Sequence, residues 1–98
     1  MSATIRFAPG AFRDTCAAAT WWRTHREAHP DLFDEELRKA LDFIRLFPEA
    51  SPKARTRRYR GARVRVMKET GHLVVYRYSG ASAEILAVLV SKKTSTRP

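Results

Sequence analysis

Ninety-eight residues, 44% hydrophobic and 30% charged, describe one small globular domain over 1–98 with a thin core, and exclude a disordered or fibrous chain. One cysteine, Cys16, excludes an intrachain disulfide and a cysteine metal cluster, and makes a reducing cytoplasm the default. The net charge of +9 is uneven. Residues 1–50 hold seven Lys/Arg against eight Asp/Glu, giving −1, while residues 51–98 hold twelve against two, giving +10. Such asymmetry favours an acidic or polyanionic partner.

In chain order, "ATIRFAP" (3–9) alternates, with Ile5 and Phe7 on one face, and predicts a short first strand ended by Pro9-Gly10. The opening "MSATIRFAPG" lacks the apolar core of a signal peptide. Residues 11–29 are alanine-rich and free of Gly and Pro, and predict a helix. Its expected buried stripe is Phe12, Cys16, Ala19 and Trp22. Adjacent Trp21 and Trp22 point about 100° apart on a helix, so one is expected in the core and the other at its rim or in an interface.

Pro30 breaks the chain, and Asp31 is placed to cap a second helix running through about Phe47. Phe33, Leu37, Ala40, Leu41, Ile44 and Phe47 form its apolar stripe, and Asp34, Glu35 and Glu36 suit its positive first turns. The short break predicts that the two helices pack as an antiparallel hairpin.

Residues 48–61 are a loop. "ARVRVMKE" (62–69) alternates strictly, with Val64 and Val66 expected inward and Arg63 and Arg65 outward, as a solvated face or paired with helix acids. "HLVVYRYS" (72–79) and "AEILAVLVS" (83–91) are two more strands, with Tyr76 expected in the core. The very apolar "EILAVLV" would invite pairing if it lay at a sheet edge. Its apolar run is far short of the ~20 residues that span a bilayer, so no membrane contact is expected. The tail 92–98 is expected to fray. The order is β-α-α-β-β-β, an α+β domain with a helical hairpin packed on a curved, mainly antiparallel four-stranded sheet.

Residues 53–66, "KARTRRYRGARVRV", hold seven Lys/Arg and no acid. Arg55, Arg57, Arg58, Arg60, Arg63 and Arg65, together with Trp21, Lys92 and Lys93, are the candidate surface for a target or an acidic partner. No pattern of His25, His29 and His72 suggests a metal, and no cofactor is expected. Cys16 has no base placed near it and is expected to be packing, not a nucleophile.

Several segments resemble the RelE/ParE superfamily of toxins from type II toxin–antitoxin modules. They are Phe7, Pro9 and Phe12 of the opening; Leu32, Phe33, Glu36, Leu37, Ala40, Leu41, Ile44 and Pro48 of the second helix; "YRGARV" (59–64); "GHLVVYRY" (71–78); and the final "VLVSKK". The resemblance implies a RelE-like fold, an acidic antitoxin from a neighbouring gene and a hetero-oligomer with it. It also implies one of two targets. ParE-like members poison DNA gyrase, the source of a link to plasmid stabilisation; RelE-like members cleave mRNA on the ribosome. RelE-like sequences carry an Arg just before the "LVY" strand and a Tyr beyond the last strand. Here Leu73 stands at the first position and no aromatic residue follows Tyr78. The resemblance is therefore closer to ParE, a gyrase inhibitor and not an enzyme. An mRNA endonuclease would have to draw on Arg58, Tyr59, Arg63, Arg77 and Lys93. A third reading is a basic nucleic-acid-binding module that is no toxin.

Overall fold

The computed structural model describes residues 3–91. Its elements are β1 (Thr4–Phe7), α1 (Pro9–His25), α2 (Leu32–Leu46), β2 (Arg63–Met67), β3 (His72–Ser79) and β4 (Ser82–Val90), with one 3-10 turn at Arg57–Tyr59. The sheet runs β1-β4-β3-β2; β1 lies parallel to β4, and the other pairs are antiparallel. β4 is therefore an inner strand. β1 reaches only to Ile85, so residues 86–90 of the most apolar segment pair with β3 alone. The edge the sequence raised as a concern is present in this half, and α1 lies beside it, with Asp14 accepting from the Val88 amide at 3.4 Å.

The helices cover one face of this sheet. α2 buries Phe33, Leu37, Ala40 and Ile44 against Met67, Val74, Tyr76, Ile85 and Val88. Phe47, expected in the same stripe, is the residue just past the helix and is exposed; its ring packs on Phe43 at 5.4 Å.

α1 ends at His25, short of residue 29, and its buried face is rotated from the expected stripe. Ala11, Ala19 and Trp22 are buried, while Cys16 is exposed and Phe12 is 59% exposed. Small side chains let α1 lie close to β4. Phe12 is too bulky for that seam and instead meets Phe7 edge-on at 6.4 Å. The tryptophans divide as expected, Trp22 in the core and Trp21 outside. Trp22 Nε1 donates to the His29 carbonyl at 2.8 Å, pinning the turn that replaces the last predicted helical residues.

Two brackets tie the layers. The Glu36 carboxylate of α2 accepts from the amides of Glu69 (2.7 Å) and Thr70 (2.9 Å) and from the Thr70 hydroxyl (2.7 Å), holding the β2–β3 turn. The buried Tyr76 hydroxyl donates to the Pro48 carbonyl at 2.7 Å and fixes the start of the loop after α2.

A register change lies between Val75 and Tyr76 of β3: Val75 faces Ala87 and Tyr76 faces Ile85, leaving Leu86 as an extra residue in β4. The bulge lets Ala83, Ile85 and Val88 all face the helices. Ala87 and Leu86 join a second, smaller core on the opposite face, with Val75, Ala62, Val64, Ala54 and Tyr59.

Candidate protein-binding site

The basic stretch belongs to that second core. Residues 52–54 run back along β2: the Val64 amide donates to the Pro52 carbonyl (2.9 Å), the Ala54 amide donates to the Ala62 carbonyl (2.8 Å), and Lys53 bridges Arg63. The 3-10 turn at Arg57–Tyr59 then reverses the chain, and the Ala62 amide closes it on the Tyr59 carbonyl at 2.9 Å. Gly61, at φ 82°, takes a conformation L side chains rarely adopt, and there the loop turns into β2. Ala54, Tyr59 and Ala62 point into the sheet. The charged residues between them have only the outward directions left, so the apolar periodicity of the loop aims its cations.

The outcome is a cavity of about 690 Å³ lined by Lys53, Arg55, Arg57, Arg60 and Arg63, with Tyr78 beside them and no acid. The ion pairs among the described residues, Arg23–Asp34 and Arg45–Asp42, both lie within or between the helices. None of the cavity's cations has an acidic partner there. Arg63 is held by a bond from Nη1 to the Ser51 carbonyl at 2.7 Å, and its guanidinium stands 5.8 Å from the Tyr78 ring centre.

Of the candidate residues, Arg55, Arg57, Arg60 and Arg63 converge here. Arg58 turns over its neighbour Tyr59 at 5.5 Å. Arg77 lies across the sheet, where Nη2 donates to the Arg60 carbonyl at 3.1 Å and braces the loop. Arg65 is not on an outer face at all. β2 turns Met67 into the helix-side core, so Arg65 and Arg63, two and four residues earlier, share that side. Arg65 places its guanidinium 3.7 Å from the centre of the Phe43 ring of α2. Trp21 belongs to a separate groove along α1. Lys92 and Lys93 fall outside the described residues. Lys53 and Tyr78 also line the cavity; strand alternation placing Tyr78 with Tyr76 was the available signal for the second.

This arrangement binds anions better than it moves protons. Arginine stays charged at physiological pH and cannot serve as a base, whereas its planar fork matches carboxylates and phosphates. Burial raises the Tyr76 phenol above its ordinary value, and its proton is committed to Pro48. No group of three His, Cys, Asp or Glu residues among the described ones is placed to hold a metal ion. No helix among them is long and apolar enough to cross a membrane.

Among solved structures, the fold is similar to a chain of the chromosomal ParDE toxin–antitoxin system of P. aeruginosa, with TM-score 0.72 and 11% identity over 91% of this chain and 96% of that one. It is also similar to a YoeB/ParE toxin from Agrobacterium tumefaciens, with TM-score 0.54 and 15% identity over 89% and 96% of the two chains. A RelE toxin mutant from E. coli in its free state gives TM-score 0.54 and 18% identity over 97% and 88%. No curated protein matches the sequence. The model of the family described as ParE toxin of the type II toxin–antitoxin system, parDE, matches residues 5–94, and the chain belongs to that family.

Proposed function

We propose that this ParE-type toxin acts by binding a protein and not by cutting nucleic acid, that DNA gyrase is its target in the cytoplasm, and that an acidic antitoxin encoded beside it holds it inactive. The observation that carries the reading is the cavity of five cations with neither an acid nor a free base among them. Such a site can grip clustered carboxylates, and the antitoxin and the target can then compete for the same arginines. The likeness of the fold to a chain of a ParDE toxin–antitoxin system supports an antitoxin partner.

The deciding experiment adds purified toxin to gyrase supercoiling and to in vitro translation in parallel. Supercoiling inhibited with translation untouched is the expected result. Translation arrest with cleaved mRNA and unaffected gyrase would replace this reading with ribosome-dependent mRNA cleavage.

A further inference from the structure

A second depression, of about 640 Å³, runs along the outer face of α1 beside the ends of β3 and β4. Ala17, Ala18 and Trp21 form its helical wall, Val88 and Val90 its sheet wall, and His72 contributes to its lining. Trp21 is 45% and Val90 66% exposed, so both walls offer apolar surface to solvent.

The protons around His72 can be assigned. The Thr70 hydroxyl has one proton and gives it to Glu36. His72 Nδ1, 3.2 Å from the same oxygen, is therefore the donor in that contact. Burial holds the ring below the ordinary histidine value, outweighing the upward pulls of Thr70 and Glu36, so it is neutral. Nε2 then carries a lone pair. Among the described residues Ser51 Oγ is the buried side-chain polar atom with no partner. Nε2 has no protein partner either, so it keeps access to the groove.

We infer that this groove docks an amphipathic, acid-flanked helical segment whose apolar stripe carries one hydrogen-bond donor, and that His72 Nε2 selects for that donor. The inference rests on the reading that an antitoxin holds the chain, and makes the groove an anchor separate from the basic cavity. α1 presents positions 14, 17, 18 and 21 to the groove, the i, i+3, i+4, i+7 spacing of a helix-packing seam. Its two alanines allow close approach. Arg26, 5.4 and 5.7 Å from the Trp21 and Trp22 ring centres, and Lys68 stand at the rim without an acidic partner among the described residues. Of the rim acids, Asp14 accepts from the Val88 amide at 3.4 Å, which leaves Glu69 as the acid whose side chain is unengaged. Residues 92–98 follow directly, but bring three cations, no acid and no large apolar side chain, so they cannot fill an apolar seam. A second copy would bring another net +9.

Protonating His72 turns the acceptor into a donor and defeats the match. The charged groups facing it are Glu36 from α2, Lys68 and Glu69 from the β2–β3 turn, and Asp14 and Arg26 on the α1 side; β4 adds none. The test titrates the toxin with the antitoxin encoded by the neighbouring gene, by calorimetry at about pH 7.5 and about pH 5.5. Ala17→Arg, at an exposed position, is expected to weaken binding by about tenfold or more. His72→Phe is expected to weaken it about three- to tenfold at the higher pH. His72→Gln, whose Oε1 still accepts, is expected to stay within about twofold of wild type and to lose the share of pH dependence that His72 causes. Circular dichroism confirms that each variant is folded. A folded Ala17→Arg protein binding as wild type does would overturn the docking site. Should His72→Gln keep the full pH dependence, or a folded His72→Phe bind normally, the selecting role of His72 falls. No complex with wild-type toxin defeats the antitoxin reading, and the groove assignment with it. Self-association of the toxin abolished by Ala17→Arg would give the groove to a second copy and refute the assigned partner.

Discussion

Arg63 and Arg65 alternate with Val64 and Val66, and that pattern alone does not say which set faces the helices. The structure gives the arginines that side. Arg65 buries its stem and lays its guanidinium on Phe43, while Arg63 reaches the Ser51 carbonyl at the rim. The valines face the smaller core, where Val66 remains 48% exposed. Only three-dimensional packing decides this, because both faces of the sheet are partly covered. For the outward cations the expectation is electrostatic. Arg57→Glu with Arg60→Glu should weaken antitoxin binding by about tenfold or more at low salt, and the difference from wild type should shrink as salt rises. Affinities measured across a salt series check this, and equal affinities for the folded variant and wild type throughout would reduce the stretch to a solvated surface. His72 carries a prediction about stability. Its folded value lies below the ordinary 6.5, so the unfolded chain takes up the proton first on acidification. The contribution is fully present above about pH 6.5 and is lost as pH falls from there toward the folded value. The melting temperature of wild type should therefore drop more over that window than that of His72→Gln.

At the scale of elements, α2 and the three C-terminal strands were legible because their apolar patterns are long and their turns carry glycine. α1 was legible as a helix but not in its orientation, since a run of alanines hardly distinguishes one face from another. The basic loop was legible as charge and not as shape. Its pocket depends on Ala54, Tyr59 and Ala62 anchoring to the back of the sheet, contacts distant in sequence from Val75 and Ala87. The Glu36 bracket was equally hidden, for its partners lie more than thirty residues away. Glu36→Ala strips the acceptor from two amides and a hydroxyl and should cost about 2 kcal/mol by denaturant unfolding. Gly61→Ala meets no atom within 4 Å, so its cost is conformational alone, about 1–2 kcal/mol. That change should also loosen the cavity and weaken antitoxin binding. The bulge at Leu86 makes β4 unequal in its tolerance of deletion. Removing Leu86 restores plain alternation around it, whereas removing Val88 sends Leu89 and Val90 to the wrong faces. Soluble yield of the two deletants should differ accordingly.

The whole molecule is a sheet with a different cover on each face. Helices bury the larger core on one side, and a cationic loop seals the smaller core on the other. These covers do not hold equally well. The helix side closes over Phe33, Ile44 and Tyr76, all fully buried, and opens only when the domain unfolds. The loop side rests on two alanines and a tyrosine, and the four cations the loop brings to the cavity, Lys53, Arg55, Arg57 and Arg60, repel one another and Arg63 of β2 with no acid among them. The seal is thus opposed by its own charge, and any anion that enters relieves the opposition. Amide hydrogen exchange makes the consequence visible. Ala54, Ala62 and Val64 should exchange through local opening, faster at low ionic strength. Val74 and Tyr76 should exchange only with global unfolding and show far less response to salt. A partner seated in the cavity would therefore tighten the loop as well as occupy it, and slow exchange at Ala54 and Ala62 even though those amides bond only within the chain.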